Sequence, residues 1–141
     1  MSSVLERHDN PTLVRVLVAE DDELLRNALC KLLVEEGFDV VGEVADGQGA
    51  VSLALESRPD VVLMDYRMPG MDGLEAIGRI KEHQPSTQAV VFTAYDDESL
   101  NLEAERADVY CLLVKGCAPS LILTMVSKAG KYKRELDGRL R

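Results

Sequence analysis

The 141-residue sequence contains no run of eighteen apolar residues, so it offers no membrane-spanning helix. Its first residues, MSSVLERHDNPT, lack the apolar core of an export signal, and the expected location is the cytoplasm. Cysteine is scarce: Cys30, Cys111 and Cys117 form neither a CxxC pair nor a Cys/His ligand spacing. An odd number without an export signal reads as reduced packing residues. Neither GxGxxG nor the phosphate-cradling GxxxxGK[ST] occurs, which argues against nucleotide binding. Internal repeats and low-complexity tracts are lacking too.

Basic charge is scarce outside the C-terminal tail. The chain carries a net charge of −9, yet its last fourteen residues, KAGKYKRELDGRLR, hold six basic and two acidic side chains. The other 127 residues carry ten basic against twenty-three acidic, a net −13. Such a body repels phosphate backbones, so no direct nucleic-acid binding is expected of it. Excess carboxylate suits a divalent cation or a basic partner instead.

What is present is a regular alternation. Five short apolar, β-branched runs, at 13–19, 38–44, 60–64, 88–93 and 109–114, read as buried strands. Between and after them, apolar residues recur at helical spacing in 22–36, 48–57, 73–84, 97–107 and from Pro119 onward. Gly37 marks one helix stop, and Glu75 and Arg79 form an i,i+4 pair in the third helix. The segment 97–107 is the weakest, with many charges and only Leu100 and Ala104 aligned. Five strand–helix repeats predict an α/β domain with a parallel sheet. The expected architecture is a flavodoxin-like doubly wound (βα)5 fold with strand order 2-1-3-4-5, which opens a crevice beyond the carboxyl ends of strands 1 and 3. Residues 1–11 read as a mobile arm, 12–130 as the domain, and 131–141 as a helix end or the start of a linker.

Polar residues collect where that crevice is expected. Strand 1 runs into Glu20, Asp21 and Asp22, and strand 3 into Asp65; strand 4 ends on Thr93 and strand 5 runs into Lys115. Taken singly, the three acids read as helix caps, Asp65 as a turn former, and Thr93 and Lys115 as solvated ends. Four strands delivering such groups to one edge favour a site. Converging carboxylates repel one another, and a hard cation such as Mg²⁺ relieves this while accepting phosphate oxygens. An aspartate flanked by that cation, a lysine and a hydroxyl suits phosphoryl chemistry through an acyl phosphate. Pro69 and Gly70 turn the chain after Asp65, and Asp72 is positioned to cap the following helix.

The stretches VLVAEDD, VVLMDYRMPGMDGLEA, VVFTA and LLVKG, in this order and at these intervals, resemble a two-component response-regulator receiver domain, most closely the LuxR-like subgroup. The resemblance spans about residues 13–130. It implies a signalling domain rather than an enzyme, with a histidine kinase as phosphodonor and Asp65 as acceptor. It also implies Mg²⁺ held by Glu20, Asp21, Asp65 and the backbone carbonyl of Arg67, with Thr93 and Lys115 contacting the phosphoryl group. The face made by helix 4, strand 5 and helix 5 is then expected to switch, controlling homodimerisation or a DNA-binding output domain. Two departures stand out: Asp108 falls where a glycine is usual before strand 5, and Leu112 where an aromatic is usual, with Tyr110 as the other candidate. Two alternatives are a phosphorylation-independent interaction module and an aspartyl-phosphate-type phosphatase. The latter needs a general acid two residues after Asp65, where Arg67 stands.

Overall fold

The computed structural model describes residues 13–94 and 97–139, so the expected arm at 1–11 lies outside the described residues. The elements alternate without exception: β1 (Arg15–Ala19), α1 (Glu23–Glu35), β2 (Asp39–Val44), α2 (Gly47–Ser57), β3 (Val61–Asp65), α3 (Gly73–His83), β4 (Gln88–Thr93), α4 (Glu98–Arg106), β5 (Cys111–Val114) and α5 (Pro119–Arg139). The strands form one parallel sheet in the order β2-β1-β3-β4-β5, the doubly wound flavodoxin-like arrangement expected from the sequence.

The central strands β1, β3 and β4 are buried on both faces, as parallel strands covered by helices must be, and the edge strands β2 and β5 only partly. On one face Leu17, Val62, Met64 and Val91 pack against Ala50 and Ala54 of α2 and Ile77 and Ile80 of α3. On the other, Val16, Val18, Leu63 and Phe92 meet Leu29 and Leu33 of α1 and Ile122 and Val126 of α5. The alternation along each strand thus feeds two cores. Helix α4 buries only Leu100 and Ala104, and neither joins either cluster. Its weak apolar pattern has become weak anchoring.

Four helices begin on an aspartate whose carboxylate accepts first-turn N–H groups: Asp22, Asp46, Asp72 and Asp97. Glu75 and Arg79 meet at 3.6 Å, as their spacing predicts. Gly37 follows α1 in the left-handed region, with φ 91°. Asp108 also adopts a left-handed backbone, φ 59°, which accounts for the glycine usual at that place. Helix α5 runs on through Arg139, and Lys133 and Arg134 bind Asp60 at 3.3 and 3.2 Å.

Candidate functional site

β1 and β3 are neighbours whose connections leave to opposite faces, so the residues just past their carboxyl ends share a crevice. The structure brings Glu20, Asp21 and Asp65 together there: each offers a carboxylate oxygen, and these lie within 4.8 Å of one another. Asp65 is the last residue of β3 and is 5% exposed. Its place is held from both sides. Tyr66 donates its N–H to the Phe92 carbonyl at 2.7 Å, and Gly73 donates its own to the Tyr66 carbonyl at 2.7 Å. The turn after Asp65 therefore folds back on the strand, with Gly70 at φ 80°.

The acidic triplet divides its labour. Asp22 caps α1, its Oδ1 accepting from Leu24 and Leu25 at 3.0 and 3.3 Å. Asp21 is exposed at the rim, whereas Glu20 is buried. Glu20 Oε2 accepts the Asp22 N–H at 3.3 Å, but the buried Oε1 has no hydrogen-bond partner. The nearby ammonium is Lys115 Nζ, at 3.4 Å an ion-pair distance without hydrogen-bond geometry. Burial, then a hydrogen bond with Asp21 and the charge of Asp65, push the Glu20 carboxyl up to about 7, against the Asp22 N–H and Lys115. A buried carboxylate oxygen without a donor, beside two further carboxylates, fits a hard divalent cation.

Lys115 reaches the same carboxylates from β5. Its Nζ donates to Asp65 Oδ2 at 2.7 Å, and its main-chain N–H donates to the Thr93 carbonyl at 2.8 Å. Burial acts to lower the Lys115 ammonium, yet the hydrogen bond and charge of Asp65, followed by Glu20, outweigh it and raise it above its ordinary value. It remains a cation at any physiological pH. Thr93 is buried and lines, with Asp65, Lys115 and Arg67, a cavity of about 240 Å³. Arg67 is exposed, and its N–H donates to Asp65 Oδ1 at 3.2 Å.

All six residues singled out in the sequence lie at this one edge. The family of response regulator receiver domains matches residues 16–127. The chain belongs to that family. A transcriptional regulatory protein, PdtaR of Mycobacterium tuberculosis, is 39% identical over 122 residues, covering 86% of this chain and 59% of the relative. The chain thus spans about six-tenths of that relative's length. Chemotaxis protein CheY of Thermotoga maritima is 32% identical over 117 residues, 83% of this chain and 98% of CheY. Among solved structures, the receiver domain of the putative response regulator NarL from M. tuberculosis superposes with a TM-score of 0.81 at 32% identity, covering 86% of this chain and 98% of that receiver-domain chain.

One receiver residue escaped sequence reasoning. Arg26 of α1 donates to the Glu20 carbonyl at 2.9 Å and to Glu43 of β2 at 3.2 Å, bracing the loop that carries Glu20 and Asp21. Nothing in its helical spacing marks it, because both partners come from other elements. The two aromatic candidates separate: Tyr110 turns to the α1/α5 core, its ring 5.9 Å from that of Tyr132, while Leu112 packs on the α2/α3 side. Among the described residues no helix is long and apolar enough to cross a membrane.

Proposed function

We propose that this receiver domain accepts a phosphoryl group on Asp65 from a histidine kinase and changes its α4–β5–α5 face in response. The observation that carries this reading is the contact of Lys115 Nζ with Asp65 Oδ2 at 2.7 Å inside a cluster that also holds Glu20 and Asp21. Asp65 attacks phosphorus; the bond from phosphorus to the donor's imidazole nitrogen breaks, and that nitrogen keeps the electron pair and takes a proton. Lys115 and the Thr93 hydroxyl donate to the phosphoryl oxygens as charge accumulates there. Asp21, Asp65, the Arg67 main-chain carbonyl and Glu20, directly or through water, would hold Mg²⁺, which would supply the offsetting charge.

Once formed, the phosphoryl group adds roughly two negative charges beside α4. That helix is fastened by two buried residues, so a small bias suffices to shift it. The exposed Leu102, Val114, Leu121 and Tyr132 on α4, β5 and α5 offer apolar surface for a dimer or an output domain. Transcriptional regulation through an attached output domain is the role that the similarity to PdtaR favours. Arg67, two residues after Asp65, cannot donate a proton at neutral pH, which disfavours turnover as a phosphatase.

The test is intact mass after incubation with acetyl phosphate and Mg²⁺. A single Mg²⁺-dependent phosphate adduct is expected on the wild type and none on Asp65→Asn. An adduct of equal yield on the variant would overturn the assignment, and a folded wild type refusing acetyl phosphate and kinase alike would leave a phosphorylation-independent module.

A further inference from the structure

The cavity of about 240 Å³ joins the acceptor to α4. Asp65, Thr93 and Lys115 line it from the strands, and Asp97, Leu100 and Glu103 from the cap and body of the helix. Tyr66 is the one aromatic in that lining among the described residues. Its main chain is pinned: the N–H donates to the Phe92 carbonyl and the carbonyl accepts from Gly73, both at 2.7 Å. A Cβ on Gly73 would come 3.2 Å from the Tyr66 Cα, so the start of α3 also blocks the backbone. What remains free is the ring, on its side-chain torsions. The ring is half-buried against the α2/α3 core, which Leu112 of β5 also borders, and the Arg67 guanidinium carbon lies 5.7 Å over it. Its phenol feels the carboxylates of α4. Burial, then the charges of Asp72 and Glu103, push it above its ordinary value, with Asp97 adding to them and Arg67 opposing.

We infer that the Tyr66 ring carries the change at Asp65 to α4, through the bulk of the ring and not through its hydroxyl. The inference rests on Asp65 as the phosphoryl acceptor. The added charge falls into a cavity that already holds Asp97 and Glu103, so it pushes on α4 from its cap and its second turn. Thr93 follows Phe92, whose carbonyl holds the Tyr66 N–H, so a Thr93 hydroxyl drawn to the phosphoryl oxygens alters the lining directly beside the ring. With its backbone fixed, Tyr66 answers only by turning that ring. The ring shares the cavity with Leu100, one of the two residues that α4 buries. A helix so lightly held shifts when one of its anchors gains or loses a neighbour. A stiff ring displaces its neighbours as it turns, and a ring without the hydroxyl does so equally. Leu112 packs against the α2/α3 core but does not line this cavity among the described residues.

The test compares wild type with Tyr66→Phe, Tyr66→Leu and Leu112→Ala. Each is held in acetyl phosphate and Mg²⁺ while intact mass reads phosphoryl occupancy. Amide exchange along residues 98–106 is followed with and without the donor, at matched occupancy. In the wild type, exchange in α4 is expected to change by at least about fivefold, the low end of ordinary coupling between two sites. Tyr66→Phe and Leu112→Ala should keep that change. Tyr66→Leu should take up the phosphoryl group as fully as wild type and lose the change, with exchange in α2 and α3 unaltered. Lost packing alone moves exchange equally in both states, so the difference between them separates transmission from stability. Tyr66→Met serves the same comparison should Tyr66→Leu fail to fold. Retention of the change in Tyr66→Leu, or its loss in Tyr66→Phe or Leu112→Ala, overturns the inference. So does a folded Tyr66→Leu that takes up no phosphoryl group, because Tyr66 then serves acceptance rather than transmission. A labelled wild type with unchanged α4 removes the coupling and leaves Asp65 as acceptor, whereas an unlabelled wild type removes both.

Discussion

Burial and the neighbouring aspartates hold the Glu20 carboxyl at about 7, far from its ordinary range, and this has a measurable cost in the metal-free domain. A carboxyl whose folded pKa is raised stabilises the fold below its unfolded pKa of 4.5, and the contribution is lost as pH climbs through about 7. In EDTA, Glu20→Gln should therefore match the wild type near about pH 4.5 and exceed it near about pH 8, by on the order of 1 kcal/mol. Added Mg²⁺ should stabilise the wild type at the higher pH and do much less for the variant. Urea denaturation at the two pH values, with and without Mg²⁺, reads all four quantities. A variant less stable than wild type in EDTA at the higher pH would contradict the strain assigned to Glu20. At this scale the sequence was partly readable. The run of Glu20, Asp21 and Asp22 announced both a cap and a site, but only geometry separates the capping Asp22 from the buried Glu20. Arg26 was hidden because a helix repeat carries no record of partners on the sheet.

Elements fare better than partners. Strand and helix limits followed from apolar period, and the observed ends differ from the expected ones by a residue or two at most of them, because burial on both faces leaves little freedom in register. The turn after β3 shows how an element serves the chemistry. A Cβ on Gly73 would lie 2.7 Å from the Asp65 carbonyl oxygen and 3.2 Å from the Tyr66 Cα, so the start of α3 presses directly on the acceptor's backbone. Gly73→Ala must move either the helix or the strand end. We expect a loss of about 1–3 kcal/mol in urea stability, the usual range for overpacking. Phosphoryl uptake from acetyl phosphate should slow as well, because Asp65 leaves its position beside Lys115. Wild-type uptake in the presence of lost stability would show that α3 alone yields. The left-handed backbone at Asp108 stood in the sequence only as a departure from the usual glycine, and aspartate is one of the few other residues that visits that conformation. Its carboxylate pairs with Lys81 of α3 at 3.2 Å, a partner twenty-seven residues away.

Across the whole molecule, β3 is bracketed by two aspartates with different tasks. Asp65 ends the strand at the site, and Asp60 precedes it at the opposite edge of the sheet. Asp60 is buried and gathers the Arg15 N–H at 2.9 Å, Arg134 at 3.2 Å and Lys133 at 3.3 Å. Ser86 extends the network by donating to Asp137, which also pairs with Lys133. The second half of α5, which reads from the sequence as a cationic tail, is thereby strapped across the sheet's amino-terminal edge. Asp60→Ala strands two cations; Lys133 keeps Asp137 and Arg134 keeps its bond to the Leu13 carbonyl, so the loss should be nearer about 2 kcal/mol than the full penalty of a severed buried pair. Because Asp60 and Asp65 stand at opposite ends of β3, phosphoryl uptake should remain at the wild-type level in the folded variant. Amide exchange along residues 130–139 should quicken, while exchange in α3 stays as it was. If uptake fell in step with exchange at the C-terminal turns, the two edges of the sheet would be coupled, and the strap would belong to the switch rather than to the scaffold.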